Sequence, residues 1–273
     1  MASTIRKEAC TLVTGARSGL GRAFASALAA EGLRVTGTSR RSGSDAFDMP
    51  PEIAPLHLDF AQDGVEAFIG ANAALLDEVD ILVNNAGAGV FGPVEEIDPD
   101  ALREQMESLA VAPLRLAQRV FKPMRARGRG TIVNVSSLAA EFPIPFMAPY
   151  NAAKAALSQG TRSLMLEARG TGVTVIDLQP GDFRTDFNTA MQRADEGDES
   201  RVLRVLDMVE RHLQAGPPPE AAARALVRAL RRGRSGTVRC GGWMQVCAAP
   251  LARRLFGDAL MRRAIARYYR LDA

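Results

Sequence analysis

The stretch that decides the fold reads ACTLVTGARSGLGRAFASALAA and runs from Ala9 to Ala30. Its first part, Ala9–Thr14, is a short apolar run, which predicts a buried strand. Its last part, Leu20–Ala30, is rich in alanine and has the apolar spacing of a helix. Between them, the turn TGARSGLG carries glycines that let the backbone approach a pyrophosphate at a helix N-terminus. The stretch therefore predicts a strand, a phosphate-binding turn and a helix.

Further apolar runs alternate with helical stretches along the rest of the chain. The predicted strands are Arg34–Ser39, Pro55–Asp59, Asp80–Asn84, Gly130–Ser136, Val173–Leu178 and Gly236–Arg239. Strands separated by helices form parallel sheets with right-handed crossovers. We therefore predict an α/β protein: a single-domain Rossmann fold over residues 1–245, with a doubly wound parallel sheet of about seven strands and helices on both faces. Residues 246–273 are predicted to be a basic C-terminal helical extension.

The composition narrows the class of protein. Of the 273 residues, 47% are hydrophobic and 24% are charged, as in an ordinary globular domain. The net charge of +3 is too small, and the aromatic fraction of 5% too low, to indicate a nucleic-acid partner. Residues 250–273 hold six Arg and two Asp, a local charge of +4, so the remaining chain carries −1. The basic character is therefore local.

Cysteine usage and hydropathy bear on the location of the protein. The three cysteines form no C-x-x-C pair, and an odd number argues against a secreted disulfide framework. The N-terminus lacks the apolar core of a signal peptide, and no run approaches the ~18 apolar residues of a membrane span. We therefore expect a cytoplasmic protein without an integral membrane span. The isolated His57 and His212 do not indicate a metal site.

Candidate catalytic residues lie between Ser137 and Lys154. Tyr150 and Lys154 are four residues apart, so on a helix both side chains reach one small volume. A nearby cation stabilises phenolate and lowers the pKa of a tyrosine, which is otherwise near 10. Ser137 adds a hydroxyl that can hydrogen-bond a carbonyl or an alkoxide. The pattern favours proton transfer by Tyr150.

A Ser thirteen residues before a Tyr-x-x-x-Lys resembles the catalytic signature of the short-chain dehydrogenase/reductase family. The other matching motifs, in the family's order, are the glycine turn, Asp59, N-N-A-G at Asn84–Gly87, and Pro180-Gly181 with Thr185. The resemblance implies reversible hydride transfer between a nicotinamide cofactor and a carbonyl compound or its secondary alcohol. It also implies that Tyr150 is the acid and base, that Lys154 grips the nicotinamide ribose and that Ser137 orients the carbonyl.

The end of the second predicted strand bears on the choice of cofactor. An acidic residue there would bind the ribose 2′-hydroxyl of NAD, whereas a cation accommodates the 2′-phosphate of NADP. The strand is followed by Arg40 and Arg41, which could share this role, and Arg17 lies in the glycine turn. We therefore predict NADP(H). The predicted cofactor-binding residues are Gly15, Arg17, Ser18, Gly19, Leu20, Gly21, Ser39, Arg40, Asp59, Asn85, Ala86, Gly87, Tyr150, Lys154, Pro180, Gly181 and Thr185.

One position departs from the family's pattern. A long helix is predicted over Pro99–Met124, and its segment ESLAVAPLRL places Leu109 where an Asn normally completes a catalytic tetrad. In the family that Asn helps to hold a water linking the active-site Lys to solvent. The side chain of Leu109 cannot do this, although its backbone carbonyl or Ser108 could. A second hypothesis is therefore an NADP-binding regulatory or weakly catalytic protein.

The residues expected around the substrate are mostly apolar, which predicts a hydrophobic ketone or aldehyde. A mobile lid is predicted over Asp186–Pro219. The expected pocket residues are Ala88, Val90, Phe91, Leu138, Ala139, Phe142, Ile144, Phe146, Met147, Phe183 and Phe187.

The C-terminal residues 250–270 place apolar side chains at near-helical spacing among arginines. This pattern predicts an interface or core helix with a solvated basic face, and a membrane-surface helix is the alternative. Peripheral membrane contact therefore stays open. The resemblance also implies a homodimer or homotetramer, because the family commonly pairs subunits through the helices that carry Leu109 and Tyr150.

Overall fold

Parallel strands form the centre of the structure, a computed structural model that describes residues 5–40, 50–60, 64–185, 187, 191–194 and 200–271, without the side chains of residues 253, 254 and 258. The strands are β1 Cys10–Val13, β2 Arg34–Ser39, β3 Ile53–His57, β4 Ile81–Asn84, β5 Val90–Phe91, β6 Gly130–Val135, β7 Val173–Pro180, β8 Gln192–Arg193 and β9 Gly236–Cys240. The α-helices are α1 Gly19–Ala30, α2 Gly64–Ala71, α3 Ala73–Glu78, α4 Pro99–Met106, α5 Ala112–Ala126, α6 Ala148–Glu167, α7 Ser200–Ala215, α8 Pro219–Arg232, α9 Ala249–Leu255 and α10 Asp258–Tyr268.

The main sheet has seven parallel strands in the order β3-β2-β1-β4-β6-β7-β9. The chain reverses its direction of winding between β1 and β4, which is where open α/β sheets bind ligands. A separate parallel pair joins β5 to β8. The prediction of a single Rossmann fold with about seven parallel strands is confirmed.

Both faces of the sheet are covered by helices. Every residue of β1 and β4 is buried, as expected for strands that read as continuous apolar runs. On one face α1 and α8 pack together, with Phe24 and Leu226 fully buried between them and the sheet. On the other face α2, α3 and α5 cover the sheet through residues such as Phe68 and Leu116. The doubly wound arrangement follows from this burial on two sides.

A third apolar cluster supports the region beyond the carboxyl ends of the strands. It joins Leu109, Met147 and Tyr150 to one face of α7, whose Val202 and Val205 are fully buried. The apolar half of the predicted lid is therefore a packed helix. Residues 186, 188–190 and 195–199 of that segment lie outside the described residues.

Two predicted elements differ from the structure in ways that their prolines explain. Strand β3 begins and ends two residues earlier than predicted, and Pro55 is accommodated because β3 is an edge strand paired only with β2. The single helix predicted over Pro99–Met124 is divided by a π-helical turn, Glu107–Val111. Pro113 has no N–H to donate to the carbonyl of Leu109, so the regular α-helical bond is missing there.

Helices form most of the C-terminal segment. A π-helical turn, Met244–Ala248, leads into α9 and then α10. Among the described helices, none combines the length and the apolar character that a membrane span requires.

Candidate active site

A cavity of about 1360 Å³ lies at the carboxyl ends of the central strands. It extends from the glycine turn before α1 to the C-terminal helices. Every residue predicted to bind the cofactor lies on its wall, as do Ser137, Tyr150 and Lys154. Arg41 lies outside the described residues. The roles of these residues remain predictions, but the fold brings them to one site.

The glycines of the turn are required by its geometry. Gly15 and Gly19 have φ angles of 67° and 54°, in the left-handed region. A Cβ at Gly21 would lie 2.0 Å from the carbonyl oxygen of Gly15. The first turn of α1 receives no side-chain hydrogen bond from its N-cap residue, Ser18, so its backbone N–H groups can bind an anion.

The N-N-A-G motif is hydrogen-bonded to the glycine turn. The backbone N–H groups of Asn85 and Ala86 donate to Thr14 Oγ1 at 2.9 and 3.0 Å. The side-chain amide of Asn85 donates to the carbonyl of Thr14 at 3.0 Å. These bonds hold the loops after β1 and β4 together beneath the cavity.

Two arginines supply positive charge at the nucleotide end of the cavity. Arg17 Nε is buried and has no hydrogen-bond partner among the described residues. Arg40 is exposed directly after β2. A buried guanidinium nitrogen without a partner, beside a glycine turn and an open helix N-terminus, fits the phosphates of a dinucleotide.

The fold brings the three candidate catalytic residues together. Ser137 follows β6 and accepts a hydrogen bond from the N–H of Ala139 at 3.0 Å. Tyr150 and Lys154 lie one turn apart on α6, and both are buried. Lys154 Nζ lies 5.9 Å from the centroid of the Tyr150 ring and donates to the carbonyl of Val135 at 2.9 Å.

Burial dominates the electrostatics of this group. It raises the pKa of Tyr150 to about 12, although a hydrogen bond with Ser137 acts in the opposite direction. Burial also lowers the pKa of Lys154 to about 8, against the attraction of Asp177. In the protein alone the pKa of Tyr150 is therefore raised and not lowered, because the loss of hydration dominates.

A buried acid that the sequence reasoning did not select lies under Lys154. Asp177 is fully buried in β7 and accepts hydrogen bonds from the hydroxyls of Ser136 and Ser158 and from the amide of Gln179. The bond from Ser158 measures 2.7 Å. An aspartate inside the apolar run VTVIDL was the signal, since a buried carboxylate requires partners of this kind.

The predicted pocket residues divide into two groups. Those on the cavity wall are Ala88, Leu138, Ala139, Phe142, Ile144, Met147, Phe183 and Phe187. Val90, Phe91 and Phe146 do not line the cavity, so their prediction as pocket residues is wrong. The pairing of β5 with β8 buries Phe91 completely, and its ring centroid lies 6.0 Å from that of Phe146.

The sequence reasoning also missed the contribution of the C-terminal segment. Residues from the π-helical turn, α9 and α10 form part of the cavity wall, including Phe256, Leu260 and Tyr269. Asp182 and Gln245 lie on the same wall and contact each other. The position of Asp182 directly after Pro180-Gly181 was a usable signal, whereas nothing in the local sequence marks Gln245.

The fold and the site together define a dinucleotide-binding α/β oxidoreductase. The family model described as short chain dehydrogenase matches residues 9–196. The chain therefore belongs to the short-chain dehydrogenase/reductase family, whose members are oxidoreductases that use nicotinamide cofactors.

Comparisons with individual proteins agree with this assignment. A 3-ketodihydrosphingosine reductase of Bacteroides thetaiotaomicron is 27% identical over 265 residues, which cover 94% of this chain and 97% of the relative. The structure of a short-chain dehydrogenase from Streptomyces avermitilis matches with a TM-score of 0.78 and 30% identity, covering 92% of this chain and 95% of that one. A short-chain dehydrogenase from Burkholderia cenocepacia in complex with NADP matches with a TM-score of 0.71 and 26% identity, covering 96% and 98%.

Proposed function

We propose that the protein is an NADPH-dependent reductase of hydrophobic ketones or aldehydes, with the secondary or primary alcohol as product. One observation carries the proposal: a buried phenol, a hydroxyl and an ammonium group share one wall of a cavity that is otherwise largely apolar. The glycine turn at the other end of the cavity accounts for the cofactor.

The catalytic roles follow from the positions of the side chains. NADPH, when bound, supplies a hydride to the carbonyl carbon. The hydroxyl of Ser137 holds the carbonyl oxygen, and Tyr150 donates its proton to that oxygen as negative charge develops. The ammonium group of Lys154 stabilises the phenolate that remains. Because the pKa of Tyr150 is raised to about 12, its phenol carries the proton at neutral pH and is available as an acid.

The cavity wall supports an apolar substrate. Phe142, Met147 and Phe187 extend from the catalytic group, and the ring centroid of Phe187 lies 5.7 Å from that of Tyr150. The C-terminal helices add further apolar surface. The name of the Bacteroides relative describes reduction of a keto compound, which also supports a ketone substrate.

Replacing Tyr150 with Phe tests the catalytic role. Tyr150→Phe keeps the ring and removes the acid, so we expect kcat for reduction of a long-chain ketone to fall about 10²- to 10⁴-fold. The measurement is NADPH oxidation followed by absorbance, with NADPH affinity by calorimetry as the control for folding and cofactor binding. A Tyr150→Phe variant that retained the wild-type kcat would remove Tyr150 from the mechanism.

The preference for NADPH over NADH rests on the two arginines. Arg40 lies at the end of β2, where NAD-specific proteins carry an acid, and Arg17 has a buried nitrogen without a described partner. A charge-assisted phosphate contact contributes about 1.5 to 3 kcal/mol, so Arg40→Ala should weaken NADPH binding roughly 10- to 100-fold. NADH, which lacks the 2′-phosphate, is the matched control ligand. Equal loss of affinity for both cofactors would contradict this role.

A further inference from the structure

A carboxylate held in a fixed orientation lies on the substrate side of the cavity. Gln245 Nε2 donates to Asp182 Oδ2, and the backbone N–H of Asp182 donates to Gln245 Oε1 at 3.1 Å. The amide of Gln245 also fills the space beside Gly181, where a Cβ would lie 2.3 Å from Gln245 Oε1. One hydrogen bond to its carboxylate, a second from its backbone N–H and the close packing of Gln245 therefore hold Asp182 in place.

The second oxygen of this carboxylate is left for a ligand. No described residue donates a hydrogen bond to Asp182 Oδ1 in the contacts of the structure. Burial raises the pKa of Asp182, against the hydrogen bond from Gln245 and the field of His212, whose Nδ1 lies 3.3 Å from the hydroxyl of Tyr268. The carboxylate is close enough to the catalytic group for its charge to raise the pKa of Tyr150.

The charges around the substrate side favour a cationic ligand. Among the described residues that line this part of the cavity, the acids are Glu104 and Asp182, and the base is Lys154. Lys154 Nζ already donates to a backbone carbonyl at 2.9 Å, and its lowered pKa reduces its charge above neutral pH. Partial burial of the Asp182 carboxylate disfavours its charge, a cost that a ligand of opposite charge would offset.

We propose that Asp182, held by Gln245, binds a protonated amine close to the reacting carbonyl, so that the preferred substrate is a long-chain amino ketone. The inference rests on the proposed function and names the substrate class of the same site. The carbonyl lies at Tyr150, the ammonium group at Asp182, and the apolar chain along the wall formed by Phe142 and the C-terminal helices.

The direct test compares two substrates that differ only in the amine. We would measure kcat/KM of the wild-type protein for a long-chain ketone with an amine on the carbon next to the carbonyl and for the same ketone without it. An ion pair that includes a hydrogen bond predicts a preference of roughly 10- to 100-fold for the amino ketone. Equal kcat/KM values would overturn the inference while leaving the proposed reductase intact. A ketone with a hydroxyl in the same position is the third substrate, and equal preference for it would overturn recognition of positive charge.

A substitution assigns the preference to Asp182. Asp182→Asn keeps the size of the side chain and removes its charge, so it should lower kcat/KM for the amino ketone at least about 10-fold more than for the plain ketone. Asp207→Asn removes the same charge from the exposed face of α7, where Asp207 pairs with Arg211, and should leave the preference intact. A preference that survived in Asp182→Asn would overturn the assignment.

A binding measurement separates this inference from the proposed function. If the wild-type protein turned over neither ketone, the reductase proposal would fail, and calorimetry with the NADP-saturated protein would still test the subsite. A long-chain amine should then bind more tightly than the alcohol of equal length, and Asp182→Asn should abolish the difference. Equal binding of the two ligands by the wild-type protein would overturn the subsite itself.

Discussion

Lys154 links the candidate active site to the pH dependence of stability. Its pKa is about 8 in the folded protein, against an ordinary value of 10.5. Between these values the unfolded chain binds a proton that the folded protein does not, so the free energy of unfolding rises as the pH increases from 8. Because the pKa of Tyr150 is raised to about 12, Tyr150 lowers the free energy of unfolding as the pH increases, but only above pH 10.

We therefore expect the Lys154 contribution to increase the free energy of unfolding by about 2 to 3 kcal/mol between pH 8 and pH 10. The measurement is urea unfolding of the wild type and of Lys154→Met across this range. The variant has no titrating group at this position, so its free energy of unfolding should not show this increase with pH. Parallel pH profiles for the two proteins would show that the pKa of Lys154 is not lowered.

Leu109 is an apolar packing residue in this structure. It is fully buried, and a Cβ at Gly87 would lie 2.0 Å from Leu109 Cδ2. The backbone carbonyl of Leu109 cannot accept the regular α-helical hydrogen bond, because Pro113 has no N–H to donate. The side chain therefore stabilises the loop under the cofactor site and does not take part in proton transfer.

Leu109→Asn should destabilise the protein and should not increase kcat. An unpaired amide in the apolar cluster and the lost packing together cost roughly 2 to 4 kcal/mol. Leu109→Met is the matched control, because a volume-conserving change costs less than about 1.5 kcal/mol. Chemical unfolding and ketone turnover check both points. An inactive wild type together with an active Leu109→Asn variant would favour the regulatory hypothesis.

At the level of residues, the sequence predicted what lies in contiguous motifs. The glycine turn, N-N-A-G and Tyr-x-x-x-Lys place their members by local geometry, and the site residues predicted from these motifs line the cavity. The contact of Asp182 with Gln245 joins residues 63 positions apart. Such a contact depends on how the C-terminal segment packs, and no local pattern reports it.

At the level of elements, the helical pattern of the C-terminal segment was predictable, but the surface against which these helices pack was not. The spacing of apolar residues indicates that one face is buried without showing against what. In the structure Leu260 of α10 lines the cavity, whereas Leu251 of α9 lies off its wall, and the two side chains have similar exposures of 49% and 59%. They form a matched pair for testing the role of these helices.

We expect Leu260→Ala to raise KM for a long-chain ketone roughly 5- to 30-fold, because removing contact with the apolar chain costs about 1 to 2 kcal/mol. Leu251→Ala should leave KM unchanged within error. The values come from steady-state NADPH oxidation. Equal effects of the two substitutions would mean that α10 does not form part of the substrate site.

Peripheral membrane contact by the exposed apolar side chains stays a prediction, which flotation with liposomes tests.

The interruption between α4 and α5 shows a second limit at this level. The apolar spacing continues through the segment, so periodicity alone predicts one helix. Pro113 was the visible signal for a break, but a proline in the first turn of a new helix is also tolerated. The structure resolves this ambiguity with the π-helical turn Glu107–Val111.

At the level of the whole molecule, the sheet topology was predictable because parallel strands joined by helices have few allowed connections. A lid was predicted for the segment that contains α7, but the contribution of α9 and α10 to the cavity was not, since it depends on packing beyond the sheet. The expected homodimer or homotetramer also stays a prediction. Light scattering tests it, and a monomeric mass at micromolar concentration would contradict it.

The central claim is that this cavity reduces an apolar carbonyl compound with NADPH. The most direct measurement uses NADPH deuterated at the transferable position of C4, a long-chain ketone and the wild-type protein, with mass spectrometry of the alcohol. We expect one deuterium on the carbinol carbon of the alcohol. The Tyr150→Phe control, assayed with unlabelled NADPH, should form the alcohol at a rate about 10²- to 10⁴-fold lower than that of the wild type. Absence of the deuterated alcohol under conditions where NADPH is bound would contradict the claim.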